Sequence, residues 1–265
     1  MPIHKYKNYS LHYEKYGDGK TALLLIHGLF GDNNSWKYQI NYFSDKYTII
    51  AIDLFEHGLS SKNIDPIDVT HLDAEAAVDL MKTIGLPYFA LGHSFAGYVM
   101  PEIIKLDGDR LKGAVFIDST YLGNWQILET RIRFGEVKLA LEDERLAAES
   151  EFWYNSLIAK NAKQEDRDLI LSSFRKGNYR QTFESVAKCR KFLIKYPAKE
   201  TPIREHQKIF ILENGVGKKP EFIKSWVNYF KLADYYLFEN AGHFFHITQH
   251  EQFNKVLEYF LEENN

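Results

Sequence analysis

The sequence predicts an α/β fold, in which a mostly parallel central sheet is flanked by helices. Short apolar runs alternate along the chain with segments of helical periodicity, which is the pattern of β–α–β units. Several of these runs are apolar at every position, as are strands that are buried on both faces of a parallel sheet. The 265 residues also suffice for a large hydrophobic core that needs no disulfide or metal for its stability.

The N-terminal half of the chain shows this alternation most clearly. The runs TALLLI and YTIIAI are continuous apolar stretches, and a helical pattern follows each of them. Pro101 falls inside the third predicted helix, where its ring removes one backbone hydrogen bond, so we expect a kink there. The predicted strands are 10–16, 21–26, 47–52, 88–91 and 113–117, and the predicted helices lie near 36–43, 72–84 and 94–106.

The pattern changes between residues 124 and 198. This segment has no strand-like run, its charges are dense, and aromatic residues are scattered through it, so it is typical of a helical insertion. Alternation then resumes with predicted strands 208–212 and 235–238 and predicted helices 221–230 and 251–260. We therefore expect a core formed by residues 1–123 and 199–265, with a helical cap at 124–198.

Composition and charge limit the partners and the location that we expect. The net charge of −3 gives no global field that would favour nucleic acid or an acidic membrane. No apolar stretch is long enough to span a membrane, and the N-terminus lacks the apolar region of a signal peptide. The single cysteine, Cys189, can form no internal disulfide. These features predict a soluble, cytoplasmic protein that binds neither nucleic acid nor membrane.

The stretch GHSFAG places Ser94 between a predicted strand and a predicted helix. A strand, then Gly-x-Ser, then a helix is the context of a nucleophile elbow, a strained turn whose flanking residues must be small. Gly92 and Ala96 meet that requirement. The serine would then project above the sheet at a helix N-terminus, which favours negative charge. The alternative is a serine that only caps the helix.

Two further turns follow buried strands and complete a candidate site. The turn HGLFG after the run TALLLI frees backbone N–H groups, and the amides of Leu29 and Phe95 are candidates to stabilise a developing oxyanion. His243 follows the last predicted strand on a glycine-containing loop, where an imidazole can act as the base for a serine. An ordinary strand-to-helix turn is the alternative for HGLFG. The nearby His246 and His250 do not follow a strand end, and we interpret them as surface or packing residues.

Four stretches in a fixed order resemble those of the α/β-hydrolases, in particular the esterase-like group: HGLFG, DLFEHGLS, GHSFAG and AGH. The resemblance covers nearly the whole chain, and its cap would fall at 124–198. It implies Ser94 as the nucleophile, His243 as the base, and the amides of Leu29 and Phe95 as the oxyanion hole. One departure is Ala96, where the family usually has glycine. Within DLFEHGLS, we interpret Asp53 and His57 as parts of a structural turn network.

The third catalytic residue of the family is missing from its usual place. The family usually carries this Asp in a Gly-x-x-Asp loop after the strand predicted at 208–212, but the loop reads ENGV and the Asp position falls on Val216. Asp118, at the end of the preceding strand, could orient His243 instead, although Asp also caps turns at strand ends. Glu213 is the alternative acid. The third possibility is loss of the acid, which would slow the chemistry by about 10⁴ while leaving binding intact.

The predicted activity is that of a serine hydrolase, which cleaves carboxylic esters of small to medium apolar acyl or alcohol groups through an acyl-enzyme intermediate. The expected partner is a small-molecule ester-like substrate, and the oligomeric state stays open. No cofactor is expected, and the chain has neither a His-Glu-x-x-His motif nor paired cysteines that would suggest a metal. The alternatives are a thioester, lactone or C–C bond hydrolase, and a non-hydrolytic ligand receptor that retains the pocket.

Overall fold

The computed structural model describes residues 2–64, 69–119, 133–177, 179–195 (188–195 as backbone), 204–215, 230 and 233–265. Val216, most of the predicted helix 221–230 and parts of the predicted cap therefore lie outside the described residues. Within these ranges, no helix combines the length and the apolar content that are needed to cross a bilayer.

A mostly parallel sheet forms the centre of the molecule, as the sequence predicted. Its strand order is β1-β2-β4-β3-β5-β6-β7-β8. The pairs β1–β2 and β2–β4 are antiparallel, and all later pairs in the described chain are parallel. The strands are β1 Ile3–Tyr6, β2 Tyr9–Tyr16, β3 Ala22–Ile26, β4 Thr48–Ile52, β5 Tyr88–His93, β6 Leu111–Ile117, β7 Lys208–Asn214 and β8 Ala233–Phe238.

Two hydrophobic clusters cover the two faces of this sheet. Side chains alternate between faces along a strand, so Leu24 and Ile50 join one cluster while Leu23 and Ile49 join the other. Both faces are covered by helices, which explains why the inner strands are apolar at every position. The labelled helices are α1 Lys37–Phe43, α2 Val69–Ile84, α3 Met100–Leu106, α4 Asp143–Ser156, α5 Gln164–Arg175, α6 Tyr179–Lys195, α7 Phe245–Thr248 and α8 His250–Glu263.

The segment that was predicted as one kinked helix is divided in two. Residues Ser94–Tyr98 form a 3₁₀ helix, and α3 begins only at Met100. Pro101 lies in the first turn of α3, where its missing N–H costs nothing because that group would have no partner within the helix. The prediction of a kink within a continuous helix was therefore wrong.

Strand β7 is longer than the sequence pattern indicated. It continues to Asn214, so Glu213 and Asn214 belong to the strand and not to the loop in which we placed them. Both side chains are polar, which is why the apolar pattern ended at Leu212. The last paired residues of β6 and β7 are Ile117 and Leu212, so Glu213 and Asn214 lie just past this pair, next to the end of β6.

The described residues between β6 and β7 form helices joined by turns, and none of them forms a strand. Residues 133–139 and helices α4 to α6 lie in this part of the chain. An aromatic-rich cluster joins these helices to the core, and Phe30, from the turn after β3, lies within it. Other members of the cluster are Leu146, Tyr154, Phe174, Phe183, Phe244 and Ile247. The division into a core and a cap at 124–198 stays a prediction.

Candidate active site

The candidate residues lie at one edge of the sheet. Ser94 follows β5, Asp118 follows β6, and His243 lies on the loop after β8. Neighbouring parallel strands end at the same edge, so residues far apart in the sequence meet there. This edge is where ligands bind in open α/β sheets.

Ser94 adopts a strained backbone conformation. Its φ is +51°, in the left-handed region that non-glycine residues rarely occupy. Small neighbours make the turn possible: a Cβ at Gly92 would lie 2.6 Å from Met100 Cγ, and one at Gly28 would lie 3.0 Å from Ser94 Cβ. The sharp turn from strand to helix that the GHSFAG pattern predicted is therefore present.

A chain of hydrogen bonds joins Ser94, His243 and Asp118. The distance from Ser94 Oγ to His243 Nε2 is 2.8 Å, and from His243 Nδ1 to Asp118 Oδ2 it is 2.5 Å. Since a carboxylate only accepts, the imidazole carries its proton on Nδ1 and leaves Nε2 as the acceptor for the serine hydroxyl. This arrangement lets His243 remove the serine proton.

Asp118 is held at the end of β6 by contacts with β7. Its backbone φ is +40°, and its N–H donates to Leu212 O at 2.8 Å. The side-chain amide of Asn214 donates to Asp118 Oδ2 at 2.7 Å, and the backbone N–H of Asn214 lies 3.4 Å from Oδ1. The sequence did not indicate Asn214, because an asparagine between a glutamate and a glycine matches no catalytic motif.

Glu213, the alternative acid, is fully buried within β7. The hydrogen bonds found for the His243 ring go to Ser94 and Asp118. The structure thus brings Asp118, and not Glu213, to the histidine. The position predicted to hold the usual family acid, Val216, lies outside the described residues.

The turn after β3 is fixed from within by His27. The ring donates from Nδ1 to Gly28 O at 2.7 Å and accepts the Leu54 N–H at Nε2, at 3.0 Å. Burial is the main cause that lowers the pKa of His27, so the ring is neutral and can play both parts. Within the described chain, no hydrogen bond is found for the N–H of Leu29. The Phe95 N–H lies in the first turn of its 3₁₀ helix, where such groups lack a partner within the helix.

Two neutral imidazoles lie behind His243. His93 donates from Nε2 to the backbone carbonyl of His243 at 2.9 Å, and its ring lies 4.4 Å from that of His246. Burial lowers the pKa of His246 to about 3 and that of His93 well below its ordinary value, with neighbouring histidines as a further cause. Neither ring is charged at neutral pH, so neither opposes a positive charge that forms on His243.

The end of α4 contacts both the turn after β3 and the loop that carries His243. The Tyr154 hydroxyl donates to Leu29 O at 3.3 Å, and the His243 N–H donates to Leu157 O at 2.9 Å. Gly242 allows this close approach, since a Cβ there would lie 2.4 Å from the Ala159 N. The helical segment thus contacts two parts of the candidate site directly.

Asp53 and His57 form a separate buried network. Asp53 accepts hydrogen bonds from His12, Asn33 and the backbone N–H of Leu59. His57 donates to Phe55 O, and burial lowers its pKa to about 3. These contacts fix the loop after β4, in agreement with a structural interpretation. His246 is likewise buried, and His250 stacks on Tyr38 with 3.8 Å between ring centroids.

Comparison with known proteins identifies the family. The profile of the alpha/beta hydrolase family matches residues 23–256, which include every candidate residue of the site. The chain therefore belongs to the alpha/beta hydrolase family.

Curated relatives resemble parts of this chain. A segment of 112 residues is 32% identical to the dihydrolipoyllysine-residue acetyltransferase component of the acetoin cleaving system of Pseudomonas putida, and it covers 42% of this chain and 30% of that protein. Over 183 residues, which cover 68% of each chain, this chain is 25% identical to the (E)-2-((N-methylformamido)methylene)succinate hydrolase of Acinetobacter baylyi. The chain spans only 24% to 30% of the length of the two curated relatives first matched.

A solved structure shares the fold over nearly its whole length. The thermophilic esterase of Thermogutta terrifontis, determined with malate bound, superposes with a TM-score of 0.76 at 20% identity. The match covers 98% of this chain and 97% of that one. At this identity the likeness establishes the fold.

Proposed function

We propose that this chain is a serine hydrolase that cleaves carboxylic esters of small to medium apolar acyl or alcohol groups. The observation that carries the proposal is the hydrogen-bonded series from Ser94 through His243 to Asp118, with distances of 2.8 Å and 2.5 Å. A nucleophile, a base and an orienting acid in this order are what acyl transfer through serine requires.

The reaction proceeds in two steps. Ser94 Oγ attacks the ester carbonyl while His243 Nε2 takes the hydroxyl proton, and the protonated imidazole then gives this proton to the departing alcohol. In the second step His243 takes a proton from water, the hydroxide attacks the acyl-enzyme, and Ser94 leaves with the proton restored. Asp118 keeps the imidazole in the correct tautomer and stabilises its positive charge.

The amides of Leu29 and Phe95 are proposed to bind the oxyanion in both steps. They flank Ser94 from two directions, because Phe95 follows it in the chain and the turn containing Leu29 packs against it through Gly28. The conformation of that turn is stabilised by the hydrogen bonds that His27 donates to Gly28 O and that Tyr154 of α4 donates to Leu29 O. Pre-oriented N–H groups of this kind stabilise charge that develops in the transition state.

The apolar residues around the proposed site support a substrate with apolar acyl or alcohol groups. The aromatic-rich cluster contains Phe30, which follows the proposed oxyanion residue, and Phe244, which follows the proposed base. The ring of Phe244 lies 5.1 Å from that of Tyr154. Apolar walls beside a few polar reacting groups are typical of small-molecule sites.

The test is hydrolysis of p-nitrophenyl esters, from acetate through octanoate, by the natural protein and by Ser94→Ala. We expect measurable turnover that falls to background in Ser94→Ala and persists in Ser44→Ala, a serine variant at the end of α1. The dependence on acyl length would measure the size of the pocket.

Turnover that persists in Ser94→Ala would overturn the serine mechanism. A folded protein that hydrolyses no ester, thioester or lactone and yet retains a ligand tightly would favour a non-hydrolytic receptor. Activity confined to thioesters or lactones would keep the mechanism and change the substrate class. A cytoplasmic location stays a prediction.

A further inference from the structure

Asn214 is the last residue of β7 and lies beside the proposed catalytic acid. The residue is 9% exposed, and its Nδ2 donates to Asp118 Oδ2 at 2.7 Å. The same carboxylate oxygen accepts the Nδ1–H of His243 at 2.5 Å. One oxygen atom of Asp118 is therefore shared by the base and by a side chain from the neighbouring strand.

The end of β7 holds residue 118 in a second way. The backbone N–H of Asp118 donates to Leu212 O at 2.8 Å, which continues the pairing of Ile117 with Leu212. The φ of +40° at Asp118 is uncommon for a non-glycine residue and persists only where surrounding contacts enforce it. The main chain of β7 thus fixes the backbone of Asp118, and the amide of Asn214 fixes its carboxylate.

We propose that Asn214 is a positioning residue, which orients the Asp118 carboxylate so that Oδ2 faces His243. This inference rests on the proposed function, because it assigns to Asn214 a part in the same proton transfer. Without the amide, Asp118 Oδ2 loses the donor that it accepts beside His243, and the carboxylate accepts the His243 N–H less often in the productive orientation.

The chemistry of the side chain at position 214 matters as much as its size. An asparagine supplies an N–H donor to the acid at the end of β6. An aspartate of nearly equal size would instead place a second carboxylate within hydrogen-bond distance of the first, and two such groups resist ionising together. A donor at the end of β7 therefore fits an acid that has moved to β6.

The experiment compares Asn214→Ala and Asn214→Asp with the natural protein. In Asn214→Ala we expect kcat to fall roughly ten- to a hundred-fold with little change in KM, since a hydrogen bond to a charged group is lost and substrate contacts are not. The control is Asn254→Ala, which removes a buried asparagine of α8 whose amide donates to Tyr38 O. It should lose stability without this fall in kcat.

Asn214→Asp gives a pH signature that a structural role would not produce. At low pH the two carboxylates share a proton, which replaces the donated N–H; at high pH both ionise and repel each other. We expect the kcat of Asn214→Asp, relative to the natural protein, to fall by more than about tenfold between pH 6 and pH 9. Among the described residues, the titratable groups around Asp118 and Asn214 include His93, His243, His246 and Glu213, and they are common to both proteins.

A substrate-free measurement separates this inference from the proposed function. The Nδ1 proton of His243, identified by its loss in His243→Gln, should appear far downfield in proton NMR spectra of the full chain. In Asn214→Ala this resonance should weaken or exchange faster. The role of Asn214 would be overturned if Asn214→Ala left both the resonance and kcat unchanged and if the kcat of Asn214→Asp, relative to the natural protein, did not vary with pH. If Ser94→Ala left turnover intact, the proposed function would fail, and the NMR comparison would still decide whether Asn214 orients Asp118.

Discussion

Replacement of Asp118 by asparagine tests the assignment of the acid to the end of β6. The substitution keeps the size of the side chain and removes its charge. In the structure, Asp118 Oδ2 accepts from both His243 Nδ1 and Asn214 Nδ2. An asparagine oxygen in that position would satisfy both donors, and the charge would be lost together with the longer contact from the Asn214 backbone N–H to Oδ1. An asparagine turned the other way would face the two donors with its own NH₂ group and reverse the tautomer of His243.

The two orientations set the expected magnitude. Opposite charges about 4 Å apart at an effective dielectric constant of about 20 attract by roughly 4 kcal/mol, which is about 10³ in rate when the imidazolium forms in the transition state. Reversal of the tautomer in a serine triad costs about 10⁴. We therefore expect kcat in Asp118→Asn to fall by roughly 10³- to 10⁴-fold.

The assay is steady-state hydrolysis of the best p-nitrophenyl ester, with thermal unfolding as the check on folding. Glu213→Gln is the matched variant, because it neutralises the alternative acid one residue before Asn214 without changing its size. We expect this variant to retain turnover within about tenfold of the natural protein. A loss of less than tenfold in folded Asp118→Asn would refute the reasoning, and a steep loss confined to Glu213→Gln would move the acid to β7.

Two further outcomes follow from the contacts around the site. Tyr154→Phe keeps the aromatic ring and removes the hydroxyl that donates to Leu29 O. The kcat for ester hydrolysis should therefore fall about threefold to tenfold with KM unchanged. An unchanged kcat would show that this hydrogen bond does not position the turn after β3. His246 has an ordinary pKa of 6.5 and a folded pKa of about 3, so the unfolded state binds more protons and the free energy of unfolding should fall as the pH drops below about 6.5. His246→Phe should make that fall shallower by up to about 1.4 kcal/mol per pH unit. Urea unfolding at pH 7 and pH 5 measures the change in the free energy of unfolding, and an equal change in the natural protein and in His246→Phe would contradict the prediction.

The parts of the fold that were predictable are those that depend on local pattern. Continuous apolar runs indicated strands buried on both faces, and the structure confirms a mostly parallel sheet covered on both sides. The predicted limits failed where polar side chains are held by neighbours. Strand β7 extends to Asn214 because the backbone of Asn214 pairs with β8 and the side chain of Asn214 donates to Asp118. Neither contact is visible in the sequence.

The sequence by itself determined which residues were chemically suited to a site. Small residues around Ser94, a glycine turn after a buried strand and a histidine after the last strand are local requirements of strained turns, and such requirements are written in consecutive residues. It favoured Asp118 as the acid but left Glu213 open as the alternative, because the distinction depends on which carboxylate reaches His243 across 125 positions of the chain. The tertiary structure decided this geometry through strand order and register: β6 ends beside β7, Asn214 and Leu212 hold residue 118, and the loop after β8 brings the imidazole to Oδ2. Distances between strand ends are properties of the assembled sheet, and no local pattern encodes them.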